Sequence, residues 1–216
     1  MVTIAQLIME PWLSLRLMCE IIRRPHSFRL AWIALNRWRA IQNPPEFSSL
    51  IHIVSSQQNP AVMEIRIRHG STLYAWCQLV TADAMIISVN FHPKTADATM
   101  TLRFQKFMRA RQDLTCLRQD SHALETLTAV KDALGEKRLS FLFIDGDHSY
   151  EGVKQDYELY SLLVAETGLI PLHDFRDNPK HPNYGVPRFW NESKESTGSA
   201  GGFQNKPQRG MKCLAS

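Results

Sequence analysis

The chain has few cysteines and no pairing motif among them. Cys19, Cys77, Cys116 and Cys213 are scattered, with no C-x-x-C. That pattern excludes a disulfide framework and a zinc site of the paired-cysteine type, and it fits reduced thiols in a cytoplasmic protein. Long apolar runs are also missing. None approaches the roughly 18–20 uncharged residues that a membrane span needs. The N-terminus lacks a basic start followed by a clean apolar core and a cleavage site, so no signal peptide is expected. A glycine-rich dinucleotide turn is absent as well: "RIRHGS" (66–71) stands where G-x-G-x-x-G would follow the first predicted strand. That argues against a nicotinamide-dependent enzyme.

What remains is an ordinary globular composition. The 216 residues are 44% hydrophobic and 21% charged, with a net charge of +4. Such a chain can form one sizeable domain with a real core. The positive excess gathers near the N-terminus, in Arg16, Arg23, Arg24, Arg29, Arg37 and Arg39, interleaved with Trp12, Trp32 and Trp38. The reading preferred for it is a solvated face on amphipathic helices, with no nucleic-acid partner and no membrane span.

Two helices are predicted at the start, over 2–24 and 26–42. In the second, Phe28, Ala31, Trp32, Leu35 and Trp38 recur at helical spacing, and Asn43-Pro44-Pro45 stops it. A linker through Ser55–Asn59 follows. From there short apolar runs alternate with helical patterns. The predicted strands are Ala61–Ile65, Met85–Val89, Leu114–Leu117, Leu139–Ile144 and Leu169–Leu172. Helices are predicted over 71–80, 99–111, 122–134 and 150–165, with Leu124, Leu127, Val130 and Leu134 forming the apolar face of the third. Strands that are apolar on both faces and alternate with helices imply a parallel sheet covered on both sides. The expected fold class is therefore α/β, a doubly wound and mostly parallel sheet. The expected organisation is an N-terminal helical segment (1–58), an α/β domain (59–192) and a disordered tail (193–216).

Ligands in such sheets bind beyond the carboxyl ends of the strands. There the sequence "FLFIDGDHSYEGVKQD" (141–156) runs from a buried strand into Asp145, Asp147 and His148. The next strand ends in "HDF", which brings His173 and Asp174 to the same edge. Charges so close are costly to desolvate unless something gathers there. A divalent cation, a polar ligand or a proton-transfer step would each account for them. The plainer alternatives are that Asp145 or Ser149 caps the following helix and that Asp174 makes a turn.

This stretch, with "GLIPLHDF" and "GVPRFWNE" after it, resembles the class I S-adenosylmethionine-dependent methyltransferases. Within them it is most similar to the small-molecule branch of macrocin- and rhamnosyl-type O-methyltransferases. "MEIRIRHGSTLYAWCQL", "MIISVN" and "LTCLRQDSH" extend the resemblance upstream, so that it covers roughly residues 60–192. It implies a Rossmann-like fold and an S-adenosylmethionine-dependent transfer to a small hydroxylated molecule of the sugar or natural-product type. Glu64, Gly70, Ser71, Asn90, Asp120, Ser121, His122 and Asp145 would then bind the cofactor. Asp145 and Asp174 would hold a metal, with Mg²⁺ as the ion, and His148 would be the catalytic base. Asp147 and His173 stand in reserve as ligands, supporting groups or caps.

The departures from the family pattern define the alternative reading, a degenerate methyltransferase fold used for binding. Arg66 replaces the first glycine of the family's loop, in "EIRIRHG", and Asn90 replaces an acid. Glu166-Thr167-Gly168 stands where a P-G-G turn is usual, and Pro171 interrupts the fifth strand. The tail "NESKESTGSAGGFQNKPQRGMKCLAS" shows no strand pattern, so the last strands of the family sheet are expected to be missing. An exposed sheet edge would follow, offering a route to a homo-oligomer.

Overall fold

The computed structural model describes residues 22–38, 42–67, 70–90, 98–174 and 181–198. Residues 2–21 of the predicted first helix and the tail from residue 199 onward lie outside them. Five strands form one parallel sheet: β1 (Ala61–Ile65), β2 (Met85–Val89), β3 (Asp113–Leu117), β4 (Leu139–Ile144) and β5 (Val164–Leu169). Their order is β3-β2-β1-β4-β5, so β1 is the central strand, flanked by β2 and β4. This is the doubly wound α/β fold that the alternation predicts.

The helices are α1 (Pro25–Arg37), α2 (Pro44–Ser55), α3 (Ser71–Leu79), α4 (Ala98–Gln105), α5 (Leu124–Leu134), α6 (Tyr150–Tyr160) and α7 (Val186–Gly198). They bury the two faces of the sheet in two apolar clusters. Val62, Ile86, Phe141 and Phe143 face α1, α2 and α3. Met63, Ile65, Ile87, Leu142 and Ile144 face α5, α6 and α7. The strict alternation along β1 and β4 explains why both strands read as continuous apolar runs. Among the described helices none is long and apolar enough to cross a membrane.

Several boundaries differ from expectation, each for a physical reason. Helix α2 was not foreseen, because Pro44-Pro45 reads as a stop. Proline is equally at home in a first turn, and here Asn43 Oδ1 accepts from Glu46 N–H while both prolines sit at the start. Helix α1 turns Ser27, Ala31 and Ala34 inward instead of its largest residues, leaving Trp32 44% exposed. Small side chains let α1 lie close against its neighbours. In α5, Leu124 is the first helical residue and is 67% exposed, while Val130 and Leu134 are buried.

The largest correction is at β5. The helical pattern over 150–165 ends at Tyr160, a 3₁₀ turn takes Ser161–Leu163, and Val164 already pairs with Leu139. A contact with β4, invisible to local periodicity, ends the helix. The ladder then shifts register between Leu139–Val164 and Phe141–Leu169, and Glu166 and Thr167 are exposed within that irregularity. Pro171 has no N–H to give, and pairing resumes only as a single bridge between Ile144 and Leu172. Helix α7 runs to Gly198, so its last six residues fall within the segment read as tail.

Trp76 of α3 is 1% exposed and its ring centroid lies 4.8 Å from that of Phe141 and 5.6 Å from that of Phe143. Phe47 of α2 closes the cluster at 5.9 Å. This aromatic wedge fixes α3, and with it the β1–α3 turn, against the sheet. Trp76→Ala is expected to cost about 3–5 kcal/mol, read as a lowered urea midpoint, with Trp76→Phe costing visibly less.

Candidate active site

The carboxyl ends of β1 and β4 meet in one crevice, and the loops that leave them supply its side chains. Asp145 follows β4 directly, and His148 lies one turn further on, just before the N-cap Ser149. His173 and Asp174 leave the bridge that extends β5. The fold therefore gathers Asp145, His148, His173 and Asp174. His148 Nε2 lies 3.2 Å from Asp145 Oδ1, and His148 Nδ1 lies 3.2 Å from Asp174 Oδ2. His173 Nδ1 lies 3.1 Å from Asp145 Oδ1 and 3.3 Å from Asp174 Oδ2. All four are mostly buried.

Electrostatics binds the group together. Burial pushes the Asp145 carboxyl up, but His148 and His173 outweigh it and hold it below its ordinary value. Asp174 is also depressed by the same two rings, again against its burial. Burial would strip the proton from His173, yet Asp145 and Asp174 raise it to about 10; His148 is raised for the same reason. Two acids and two bases thus form a compact, mutually compensated cluster. Asp174 has φ 54, a left-handed conformation that is uncommon without glycine.

Of the other foreseen residues, Asp147 turns away from the cluster. Its Oδ1 accepts from Ser149 N–H at 2.9 Å, which makes it a local cap. Glu64 sits within β1, 1% exposed, on the α1–α3 face beside Phe143. It accepts from Thr72 Oγ1 of α3. Burial, reinforced by the neighbouring Asp145 charge, lifts its carboxyl to about 8. Gly70 has φ 79 and precedes α3; a Cβ there would collide with the Phe104 ring. Gly70, Ser71 and Thr72 are all buried. Asn90 follows β2 and donates its N–H to Leu117 O.

Asp120, Ser121 and His122 follow β3 and form a second cluster. Asp120 Oδ1 accepts from His122 N–H at 3.0 Å, and Ser121 O accepts from Tyr160 Oη–H at 2.7 Å. His122 Nε2 lies 3.3 Å from Asp156 Oδ1. Asp156 of α6 is fully buried, and burial is the main cause that raises its carboxyl to about 6. It packs so tightly under Gly146 that any Cβ there would strike its Oδ2. Sequence reasoning passed over Asp156. Its signal was an acid on the inward stripe of α6, three residues after Val153.

Arg66 crosses the mouth of the crevice. Its backbone adopts a left-handed conformation, at φ 74, and donates its N–H to Val89 O at 2.7 Å. Its guanidinium Nη1 donates to Gly146 O at 2.8 Å, tying the ends of β1 and β4 together. Strain of about 1 kcal/mol for a side chain at positive φ is offset in part by that bond. Over His148, the ring of Tyr184 lies 4.6 Å away, and Gly185 N–H donates to His148 O at 2.8 Å.

Glu64 generates a pH signature. Its folded carboxyl titrates near 8 against a reference of 4.5. The folded state therefore holds the proton more tightly, and the associated stability is full below pH about 4.5 and lost as pH rises through about 8. Glu64→Gln keeps an acceptor for Thr72 and removes the titration. Chemical denaturation across pH 5–9 should show a decline in the parent protein that is flattened in this variant; parallel curves would contradict the assignment.

A methyltransferase-domain family model matches residues 63–175, slightly more than half of the chain. No curated protein matches the sequence. The fold is similar to that of the O-methyltransferase TomG of Streptomyces achromogenes, involved in tomaymycin synthesis and solved with S-adenosylmethionine. That match has a TM-score of 0.54 at 16% identity and covers 79% of this chain and 78% of that one. An O-methyltransferase of Bacillus cereus in complex with S-adenosylhomocysteine gives 0.53 at 16% identity, with the same shares covered. MycE, from the mycinamycin biosynthetic pathway and solved with Mg and S-adenosylhomocysteine, gives 0.51 at 14% identity, over 82% of this chain and 50% of that one. The parallel sheet, the crevice at its carboxyl edge and the family match together establish that the chain belongs to the methyltransferase-domain family, with the Rossmann-like fold of the class I S-adenosylmethionine-dependent enzymes.

Proposed function

We propose that the protein is an O-methyltransferase that takes its methyl group from S-adenosylmethionine and delivers it to a hydroxyl of a small molecule, of the sugar or natural-product type. The observation that carries this is the gathering of Asp145, His148, His173 and Asp174 at the carboxyl edge between β1 and β4. Two similar folds belong to biosynthetic enzymes, TomG in tomaymycin synthesis and MycE in the mycinamycin pathway, which supports an acceptor of that kind.

The crevice suits the donor in its chemistry. A tight left-handed turn at Gly70 opens α3, whose first-turn N–H groups lack partners within the helix and attract a carboxylate. Gly70 and Ser71 are proposed to hold the methionine end. Asn90 would take the ribose hydroxyls, and Asp120, Ser121 and His122 the adenine end. Glu64 and Asp145 would border the reactive centre. When bound, S-adenosylmethionine supplies an electrophilic methyl on a sulfonium. His148 is proposed to take the proton of the acceptor hydroxyl, so that the oxygen attacks as its bond to hydrogen breaks. Carboxylates on both sides orient the ring, and the buried surroundings exclude water. Magnesium at Asp145 and Asp174 fits less well, because two imidazoles share that position with the carboxylates and this ion prefers an all-oxygen shell. No step of the proposed reaction passes through it.

Thermal unfolding with S-adenosylmethionine and S-adenosylhomocysteine tests the reading, since a ligand of the folded state raises the midpoint. A rise with both is expected. No rise at millimolar ligand would sink the proposal and leave a methyltransferase fold used for binding. Affinity should be modest, because Arg66 bridges the mouth and Asn90 lacks a carboxylate. The double change Arg66→Gly, Asn90→Asp should tighten S-adenosylhomocysteine binding by about ten-fold, about 1.4 kcal/mol. An unchanged dissociation constant by calorimetry would show that neither residue limits the pocket.

A further inference from the structure

The cluster at the end of β4 offers a donor set of its own. Asp145, His148 and His173 each present one ligand atom, and these atoms all lie within 4.8 Å of one another. Among the described residues this is the one such group. Two of its three members are imidazoles, whereas magnesium takes hard oxygen ligands in near-octahedral geometry. Imidazole with carboxylate suits iron, cobalt, nickel and zinc instead. We infer that Asp145, His148 and His173 form a binding site for a divalent first-row transition ion, with two nitrogens and one carboxylate as the protein ligands.

Three further observations support the assignment. His173 Nδ1 is buried and makes no aligned hydrogen bond among the described residues, although Asp145 and Asp174 oxygens lie 3.1 and 3.3 Å away. Asp174 Oδ2 lies 3.2 Å from His148 Nδ1 while His148 Nε2 faces Asp145, the arrangement in which an outer carboxylate orients a metal-binding imidazole. The left-handed backbone of Asp174 holds it there. The two carboxylates together also match the charge of a divalent ion, leaving the filled site neutral with both rings uncharged.

The inference deepens the methyltransferase reading and rests on it for the position of the acceptor. It also restricts one role. A ring that gives a lone pair to a metal keeps its other nitrogen protonated, so His148 serves as the proton acceptor only in metal-free protein.

The ion is testable without either substrate. Untagged, chelator-treated protein is titrated with cobalt(II) and followed by visible absorption, with thermal unfolding recorded in cobalt(II), zinc and magnesium. A visible band that saturates at about one equivalent is expected, with a raised midpoint in cobalt(II) and zinc at micromolar levels and none in millimolar magnesium. His173→Gln and His148→Asn should each weaken cobalt(II) binding by about ten-fold or more. A cooperative unfolding transition and a parent-like far-UV circular dichroism spectrum in the absence of metal show that each variant is folded, whatever its midpoint. Stabilisation by magnesium without a cobalt(II) band would overturn the inference. So would a cobalt(II) band unchanged in both histidine variants. S-adenosylhomocysteine binding, measured in parallel, reports on the methyltransferase reading separately: its loss with the cobalt(II) band intact would count against that reading alone.

Discussion

The burial of Asp145 at the mouth of the β1–β4 strand pair is the constraint on which the rest of the site depends. A carboxylate that is only 13% exposed at the end of an apolar strand is expensive to ionise without partners. The chain brings two imidazoles and a second carboxylate to it from a loop and from a neighbouring strand. Removing either ring would leave an uncompensated charge, which is why the four residues behave as one unit. Their position follows from β4 lying beside β1 at the centre of the sheet, with β5 next to it.

Arg66 and Glu64 show the same edge being stabilised from the other strand. Glu64 lies beneath the crevice with its carboxyl raised to about 8, so near neutrality it adds little negative charge beside Asp145. Arg66 has a left-handed backbone, a conformation easiest for glycine, and its guanidinium bonds to the carbonyl of Gly146. A cation thus stands at the end of β1, beside the crevice.

A second buried acid, Asp156, does for the β3 side what Asp145 does for the β4 side. It sits under Gly146 and against His122, linking the loop after β3 to the loop after β4. The two loops that border the crevice are therefore coupled through a carboxylate that neither contains. Helix α6 supplies it, and α6 is itself fixed by the Ser149 cap and by Tyr160, whose hydroxyl donates to Ser121 O.

Much of this was legible in the amino-acid order alone. Four of the five strands and the alternation that makes the sheet parallel follow from apolar runs bounded by helical periodicity. Asp145, His148, His173 and Asp174 could be assigned to one edge because strand ends in a parallel sheet share an edge. Tertiary structure decided what local patterns do not carry. The start of β5 at Val164 depends on Leu139, and the burial of Ala31 in place of Trp32 depends on how closely α1 can approach its neighbours. The cap role of Asp147, against the cluster role of His173, depends on which way two loops turn. Asp156 became visible only once α6 lay beneath Gly146. The sequence by itself determined the chemistry available at the crevice, because residue types and strand ends are local properties; the tertiary structure decided which of those groups pair, because that is set by distances of about 3 Å between residues far apart in the chain.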